Sequence, residues 1–413
     1  MASRANRIAL AVLNEFNKLP AKRKPLVRDN GMHEWVPLSG IVAEKDGNFQ
    51  CLALATGMKC LPASKLPDSY GVGIHDWHAE VLAIRTFNRF LLDECHSLTS
   101  GEIQTKYISP VRCSSLSTGE HGNQLPFAID PDIKLHMYCS EAPCGDASME
   151  LTMAAQESAT PWDVPEAVES PGSHDPTGSL PGRAYFSQLG IVRRKPARGD
   201  APPTLSKSCS DKISLKQCTS LLSSITSLFI NPINAYIDTM VLPQSHFSES
   251  GCRRAFSRHG RMKALDGTHW PGGYSFKPFK IETTDLEFAF SKKTVSEKSS
   301  KVSASNLAAA WSLSGVEETI IGGVIQGRKP FDARGASQTS RREMWLKARS
   351  LASNLEIGHA SIYQTLQFPT YREVKESSLL AVRGMVKQDV QVKALTGWQK
   401  NDGDSDFTIN QIQ

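Results

Sequence analysis

The stretch HDWHAEV, residues 75–81, places a histidine, His78, two positions before a glutamate, Glu80. Apolar residues follow at helical spacing over a wide arc, namely Val81, Leu82, Ile84, Phe87, Phe90 and Leu91. This pattern predicts a buried helix that begins near Trp77. His78 and Glu80 then lie in its first turn, where the positive end of the helix dipole favours an anionic carboxylate.

A histidine and a glutamate at this spacing are half of the signature of zinc-dependent deaminases, in which the histidine ligates the metal and the glutamate moves protons. The other half is a cysteine that follows a proline at a helix start, and Pro143 and Cys144 supply it. The usual second cysteine, three residues further on, is replaced by Ala147. Catalytic zinc sites use three protein ligands, so the third must come from elsewhere.

Two cysteines compete for the third position. Cys209 lies in the turn Ser206–Lys212, whose Ser and Asp residues predict a helix start that would hold a side chain at a fixed site. Cys139 lies in the predicted strand before Cys144, and a buried strand cysteine is more often a small hydrophobic residue. We therefore predict His78, Cys144 and Cys209 as the zinc ligands.

The composition of the 413 residues predicts a soluble globular protein, since 40% are hydrophobic and 22% are charged. The formal net charge of +5 permits a nucleic-acid partner but does not require one. Nine cysteines without a disulfide spacing, and no signal peptide before them, predict an intracellular protein of the cytoplasm, the nucleus or both. We expect no membrane span, because no apolar run is long enough, and no obligate protein partner is evident.

The chain is predicted to form one domain over 1–413. An amphipathic helix is predicted within 1–20, and the Asp-Gly dipeptide at 46–47 between two apolar runs predicts a β-hairpin. Further strands are predicted over 134–139 and 233–242, and further helices over 144–155 and 247–259. Two polar segments, 156–183 and 291–305, are predicted to be flexible insertions.

Two regions concentrate positive charge. Arg193, Arg194 and Lys195 stand in a loop just before Cys209, which suits contact with a phosphate backbone, although such a run is as often a solvated face. Towards the end of the sequence, cations and aromatic residues are interleaved in helical segments that also carry core residues: Arg341, Arg342, Tyr371, Lys375, Arg383, Lys387, Trp398 and Lys400. Buried unpaired cations are strongly destabilising, and a buried polyanion would resolve that conflict.

Residues 78–80, 143–146 and 208–212 together resemble the deaminase domain of the adenosine deaminases that act on RNA, and more closely their tRNA branch, the fungal tRNA-specific adenosine deaminase 1 family. Other matching stretches extend the resemblance to nearly the whole chain: 40–43, 56–60, 242–247 and 322–327. The resemblance implies an α/β, cytidine-deaminase-like three-layer fold, in which a mixed β-sheet is flanked by helices and elaborated by a C-terminal helical region. It also implies one structural inositol hexakisphosphate buried in the fold.

By this resemblance, the inositol hexakisphosphate contacts a set of basic and aromatic residues: Arg85, Lys212, Arg342, Tyr371, Lys375, Trp398 and Lys400. Leu215 stands where the editing enzymes have an arginine, and whether Arg383 or Lys387 supplies the intervening cation stays open. Lys212 is further expected to link the polyanion to the metal site, together with Asp76, through hydrogen bonds.

The expected reaction is zinc-dependent hydrolytic deamination of adenosine to inosine, with Glu80 as the proton carrier. The target base must leave its stack to reach a buried metal, so a single-stranded tRNA loop is a suitable substrate. Only 77 residues precede His78 and they read as part of the fold, which disfavours separate double-stranded-RNA-binding domains. The resemblance implies adenosine 37 of alanine tRNA, with Thr56, Lys59 and the basic run 193–195 as expected RNA contacts.

There are three alternatives, of which the first two are also deaminases and the third is not an enzyme. The first is deamination of free nucleosides, for which a small oligomeric chain with an intact P-C-x-x-C pair is expected. The second is deamination of another structured RNA. The third is a non-catalytic RNA-binding module stabilised by zinc and inositol phosphate, and Glu80 argues against it because a structural metal site has no use for an unligated carboxylate.

Overall fold

A computed structural model describes residues 2–101, 105–111, 125–155, 188–195 and 201–410, and the backbone of 180–181. Its helices are α1 Arg4–Lys18, α2 Ala79–Ser100, α3 Met149–Ala154, α4 Cys209–Thr219, α5 Glu249–Phe256, α6 Lys292–Lys298, α7 Arg341–Ser353, α8 Ala360–Leu366, α9 Tyr371–Glu376 and α10 Ala381–Lys393. Its strands are β1 His33–Trp35, β2 Leu38–Lys45, β3 Asn48–Thr56, β4 Ile108–Pro110, β5 Phe127–Ile129, β6 Lys134–Cys139, β7 Leu180–Pro181, β8 Arg193–Arg194, β9 Ile230–Asn231, β10 Ile237–Pro243, β11 Lys280–Thr284, β12 Val302–Ala304, β13 Ala308–Ser312, β14 Glu317–Ile321 and β15 Val324–Ile325.

The largest sheet of the described ranges has the strand order β11-β10-β6-β2-β3-β13-β14-β15. It is mixed, because β10 runs parallel to β6 and β11 whereas β2 pairs antiparallel with β3 and β6. Alternation along β2 divides its side chains between two cores: Ile41 and Ala43 pack on the side of α2, and Val42 packs on the side of α1. Helices therefore cover both faces, and the predicted α/β deaminase-like architecture is confirmed.

The local predictions hold where a short-range signal was strong. Asp46 and Gly47 have φ of 51° and 69° and join β2 to β3, so the predicted hairpin is confirmed. β6 covers the predicted 134–139. The helix predicted over 144–155 is shorter, because Gly145 has φ 103° and a 3₁₀ turn precedes α3. Likewise, a 3₁₀ turn at Pro232–Asn234 delays β10.

The segment 291–305 is not a flexible insertion, so that prediction is corrected. Ser291 caps α6 by accepting a hydrogen bond from the N–H of Thr294, and Val295 is buried. β12 then pairs parallel with β1. The composition of 291–305 resembles a linker, but these long-range contacts hold it in the fold. The other predicted insertion, 156–183, lies outside the described residues except for the backbone of 180–181.

No helix in the described ranges has the length and apolar character needed to cross a membrane.

Candidate active site

The turn that carries His78 depends on Gly57. The Gly57 carbonyl accepts a hydrogen bond from the N–H of Ala79 at 2.9 Å. The φ of Gly57 is 139°, and a Cβ at this position would lie 2.1 Å from the carbonyl oxygen of Trp77, so only glycine allows the approach. As a result His78 becomes the N-cap residue of α2, and Glu80 lies in the first helical turn.

Asp76 is the buried charge around which the site is arranged. Its Oδ1 accepts from the backbone N–H of His78 at 3.0 Å and lies 2.9 Å from the ring Nδ1 of His78. Its Oδ2 accepts from Ser206 Oγ at 2.6 Å, from Lys195 Nζ at 2.8 Å and from Lys212 Nζ. Burial raises the pKa of Asp76, but Lys195, Lys212 and His78 together hold it well below its ordinary value. The predicted link between Lys212 and Asp76 is confirmed.

Cys144 and Cys209 lie side by side although they are 65 residues apart. The backbone N–H of Cys209 donates to Cys144 Sγ at 3.3 Å. Cys209 opens α4, whose N-cap residue Ser208 fixes the helix start. Burial and the neighbouring Cys144 raise the pKa of the Cys209 thiol well above its ordinary value, so the two thiols need a cation beside them to ionise together.

A second group of potential ligand atoms shares His78. Cys60 Sγ, a carboxylate oxygen of Asp76 and a ring nitrogen of His78 all lie within 4.8 Å of one another, with Cys60 Sγ 3.6 Å from His78 Nδ1. Asp76 is the weakest of these as a ligand, because Lys195 and Lys212 already neutralise it and would repel a metal cation. Sequence reasoning missed Cys60, since its nearness to His78 depends on the pairing of two separate loops.

Two sets of residues could hold a zinc ion. Within the described ranges, the ligand atoms of Cys60, Asp76 and His78 are the group that lies within 4.8 Å of one another, and of the predicted set the structure brings Cys144 beside Cys209. One imidazole and two thiols, those of Cys144 and Cys209, are a common zinc donor set. The contact between His78 Nδ1 and Asp76 leaves Nε2 as the ring nitrogen for a metal, which is the usual carboxylate–histidine–metal arrangement. Cys139, the alternative ligand, is buried in the core cluster that α2 shares with the sheet.

Glu80 is a buried carboxylate, with 6% of its surface exposed. Burial and the nearby Cys144 sulfur raise its pKa above the ordinary value, while Lys195 and His78 lower it to a smaller extent. A raised pKa brings a carboxyl group closer to the range in which it can both accept and return a proton at neutral pH. The burial and electrostatics of Glu80 therefore suit the predicted role of a general acid and base.

Lys195 belongs to this site and not to an RNA-binding surface. Its ammonium group is 2.8 Å from Asp76 Oδ2 and 3.2 Å from Cys209 Sγ, and the residue is 5% exposed. Burial lowers the pKa of Lys195, but Asp76 and then the nearby cysteine sulfurs raise it well above the ordinary value. A permanent cation thus bridges Asp76 and Cys209, and the prediction that Lys195 contacts RNA is corrected.

Two other residues predicted to contact RNA are also buried, so these predictions are corrected. Arg193 is 1% exposed and its guanidinium donates to the carbonyl of Gln188. Thr56 is fully buried, and its hydroxyl oxygen accepts from the N–H of Ala309 at 2.9 Å. Lys59 and Arg194 keep partly exposed positions and remain predictions. The basic run 193–195 is therefore mainly structural.

A cluster of positive charges lies beyond Lys212, and three of the seven residues predicted to hold a polyanion take part in it. We call these residues the cation cluster: Lys207, Lys212, Lys216, Arg341, Lys375, Arg383, Lys387 and Lys400. Burial first, and then the neighbouring cations, lower the pKa of Lys207 and of Lys375 to about 7. The pKa of Lys387 is lowered in the same way, with Arg383 and Lys400 as the neighbouring cations, although the residue itself is exposed.

The contacts within the cation cluster are mainly to carbonyl oxygens. Lys216 Nζ donates to the carbonyls of Leu221 and Leu222 at 3.0 and 2.6 Å. Arg383 donates to the carbonyls of Thr219 and Leu222 at 2.5 and 2.6 Å. Carbonyl dipoles satisfy the donors but do not cancel the charge, so these cations still repel one another. Both residues left open by the sequence, Arg383 and Lys387, contribute.

Neighbouring arginines at the start of α7 differ in their surroundings. Arg341 lies over the ring of Tyr371 at 5.9 Å. Burial lowers the pKa values of Arg85, Lys375 and Lys387, and the charge of Arg341 lowers them further. Arg342 instead donates to the carbonyl of Thr408 at 3.3 Å, and Glu343 is the charge that influences it. On this helix Arg341, and not the predicted Arg342, is therefore the residue that lies among the cation cluster. Trp398 lies 5.6 Å from the ammonium group of Lys207.

Comparison with known proteins agrees with this chemistry. The model of the adenosine-deaminase (editase) domain matches residues 53–402. The chain therefore belongs to the adenosine-deaminase (editase) family, and it is an enzyme that acts on adenosine.

Within that family, the chain belongs with the tRNA-specific adenosine deaminase 1 proteins. The Schizosaccharomyces pombe protein of that name is 40% identical over 291 residues, which is 70% of this chain and 70% of that protein. The Saccharomyces cerevisiae protein of the same name is 28% identical over 416 aligned positions, covering 92% of this chain and 91% of that protein. The Drosophila melanogaster double-stranded RNA-specific editase Adar is 24% identical over 220 residues, 50% of this chain and 29% of its own length.

The corrected role of Lys195 can be tested by substitution. Lys195→Met should lower the free energy of unfolding by about 3–5 kcal/mol, because Asp76 loses the buried one of its two lysine partners. It should also lower the metal content. Lys59→Met, which removes a partly exposed cation near the same site, should change neither quantity. Denaturant titration and metal analysis of both purified variants provide the measurement, and a Lys195→Met protein that loses only RNA affinity would contradict the assignment.

Proposed function

We propose that this protein is a zinc-dependent deaminase that hydrolyses adenosine to inosine in tRNA, at position 37 of alanine tRNA. The observation that carries the proposal is the buried Glu80, whose pKa is raised beside Cys144 at the start of α2. The names of its relatives support tRNA as the substrate class. Position 37 and alanine tRNA rest on the resemblance of the sequence motifs to the tRNA branch.

His78, Cys144 and Cys209 would hold the zinc ion. When bound, zinc supplies a water molecule whose pKa is lowered towards about 7. Glu80 would accept one proton from the attacking water and deliver it to N1 of adenine as the oxygen adds to C6. It would then move the remaining hydroxyl proton to the amino group, which leaves as ammonia while the C6 carbonyl forms. One water is consumed and one ammonia is released for each inosine formed. Lys195 and Asp76 would orient Cys209 and His78 but would not touch the base.

An unpaired RNA base fits this buried site better than a stacked duplex base. The carboxyl group of Glu80 is almost fully enclosed, so the target base must be turned out of its stack to reach it. A base in an anticodon loop is already unpaired and needs the least energy to turn out. Lys59 and Arg194 are the residues that we propose to contact the RNA backbone. We further propose an intracellular location, where tRNA is present.

We also propose that the cation cluster holds one inositol hexakisphosphate, which would supply the missing negative charge. Lys212, Tyr371, Lys375, Trp398 and Lys400 stay in the proposed contact set, with Arg85 and Arg341 at its edge. Lys212 would join the polyanion to Asp76, which it already contacts. The support is physical, since several cations share one partly buried region and carbonyl oxygens do not neutralise them.

The reaction is tested with an alanine tRNA transcript. The purified protein should convert adenosine 37 to inosine, a transcript with guanosine at position 37 should be unchanged, and free adenosine should be turned over far more slowly. Glu80→Gln should keep zinc and fold but lose at least about a hundredfold in rate, since proton transfer contributes that much. Equal turnover of free adenosine would contradict the tRNA proposal, and near-normal activity in a zinc-loaded Glu80→Gln protein would contradict the role of Glu80.

The ligand set is tested with three single substitutions. Cys209→Ala should lose zinc, because it removes one of three ligands. Cys139→Ala and Cys60→Ala should retain it, because neither sulfur is needed when Cys144 and Cys209 bind together. Metal analysis after gel filtration is the measurement. If Cys209→Ala keeps zinc and either Cys139→Ala or Cys60→Ala loses it, the third ligand is the cysteine whose substitution removes the zinc.

The polyanion is tested by mass spectrometry of protein that is denatured after purification. We expect about one equivalent of inositol hexakisphosphate, and insoluble or inactive protein from cells that cannot make it, because ligand binding stabilises only the folded state. Lys387→Met should reduce the bound amount and the melting temperature. Lys393→Met, on the same helix but paired with Asp389 at the surface, should change neither. Active wild-type protein that contains no polyanion would refute the proposal.

A further inference from the structure

His75 joins the loop of the metal site to a distant part of the chain. Its Nε2 lies 2.6 Å from Asp404 Oδ2, although the two residues are 329 positions apart. Both are buried, with 9% and 4% of their surfaces exposed. The other ring nitrogen, Nδ1, lies 3.5 Å from the side-chain amide nitrogen of Asn401. The imidazole therefore has a partner on each side.

The positions of Asp404 and Asn401 determine which nitrogen of the His75 ring carries a proton. Burial and the nearby Arg341 lower the pKa of His75 to about 4 despite Asp404, so the imidazole is neutral at working pH. A neutral ring has one donor and one acceptor. Nε2–H donates to the Asp404 carboxylate, and Nδ1 accepts from the amide of Asn401. The hydrogen bonds therefore allow one orientation of the ring.

Asp404 itself is held from several directions. Its Oδ1 accepts from the N–H of Gly71 at 2.6 Å, and its main-chain carbonyl accepts from Arg341. The segment that follows packs against α9: the N–H of Arg372 donates to the carbonyl of Ser405 at 2.7 Å. The ring of Phe407, further along, stacks on Tyr371 at 5.2 Å. Asp404 is thus a fixed point, not a mobile tail residue.

The main chain at His75 leads directly into residues 76–78, which we call the metal loop. The carbonyl of His75 accepts from the N–H of Leu61 at 2.9 Å, which holds the backbone on one side while Asp404 holds the side chain on the other. Asp76 is the next residue, and its carboxylate sets the positions of His78 and Lys195. A shift of the backbone at position 75 would therefore displace the carboxylate that orients both of them.

We infer that the His75–Asp404 hydrogen bond is a positioning contact, through which the segment 401–407 fixes the loop that presents Asp76 to the metal ligand His78. The inference rests on the proposed zinc site. Neither His75 nor Asp404 is a proposed metal ligand or a proposed contact of the base. They affect the reaction only through the position of Asp76. Breaking the His75–Asp404 contact should therefore change zinc retention and kcat but leave substrate binding unchanged.

The test begins with Asp404→Asn in the full chain. Three donors face the two oxygens of Asp404, namely Gly71 N–H at Oδ1, and His75 Nε2–H and the Arg341 guanidinium at Oδ2. An asparagine offers only one acceptor oxygen. We expect kcat for tRNA deamination to fall about ten- to a hundredfold and zinc to be lost to a chelator faster by a similar factor, as is usual for residues that support metal ligands. The KM for tRNA should stay within about twofold.

Asp406→Asn is the matched control. Asp406 lies two residues further along the same segment and forms an exposed ion pair with Arg372 at 2.8 Å, away from the metal loop. This variant should leave kcat, KM and zinc retention unchanged.

His75 provides a rescue experiment. His75→Gln can still place an amide N–H towards Asp404 and should retain most of the rate, whereas His75→Leu should behave like Asp404→Asn. If Asp404→Asn is insoluble, the comparison of these two variants decides. Combining His75→Leu with Asp404→Asn should add little to either single loss, because both remove one contact.

A lowered melting temperature together with normal zinc retention and normal kcat would overturn the inference, because the pair would then serve stability alone. Equal loss in His75→Gln and His75→Leu would also overturn it. Failure of the proposed function is distinguishable, since it would appear in the wild-type enzyme as missing zinc or missing inosine, whereas failure of this inference appears only in the variants.

Discussion

A buried carboxylate with no water around it must be neutralised by its neighbours, and in this protein that carboxylate is Asp76. Its two oxygens take five hydrogen bonds, two from His78 and one each from Ser206, Lys195 and Lys212. The two oxygens have different roles, since Oδ1 orients the imidazole and Oδ2 binds the two cations. The geometry of the site therefore depends on chain segments that meet only in the folded protein.

The need to neutralise Asp76 also connects the metal site to the C-terminal helical region. Lys212 contacts Asp76 at one end and belongs to the cation cluster at the other. The cluster extends through α7, α9 and α10, so the C-terminal helical region is electrostatically continuous with the metal loop. A second connection runs through His75 and Asp404 and uses a neutral imidazole instead of a charge. The first connection is an ion pair and the second is a hydrogen bond that fixes the position of the loop. They end at Asp76 and His75, which are adjacent.

Several cations were assigned to the wrong environment from sequence because a run of basic residues does not reveal which side chains turn inwards. Arg193 and Lys195 alternate with Arg194 along β8 and its continuation, and the two outer residues of the run are buried. Arg341 and Arg342 are consecutive on a helix, so they must face different neighbours. Thr56 is the last residue of β3, and its hydroxyl oxygen accepts a hydrogen bond from the N–H of Ala309 in β13. In each case the deciding contact comes from a distant segment.

The sequence alone determined the features that short-range chemistry controls. The His-x-Glu spacing and the apolar arc of α2 located Glu80 in a first helical turn, and Asp-Gly at 46–47 determined the hairpin, because positive φ at both residues is a local property. The family was also evident from local motifs. Only the tertiary structure brought Cys144 beside Cys209, turned Lys195 into a partner of Asp76, and ordered 291–305 against β1. These contacts join segments tens to hundreds of residues apart, and no local propensity encodes which buried charge will meet which partner.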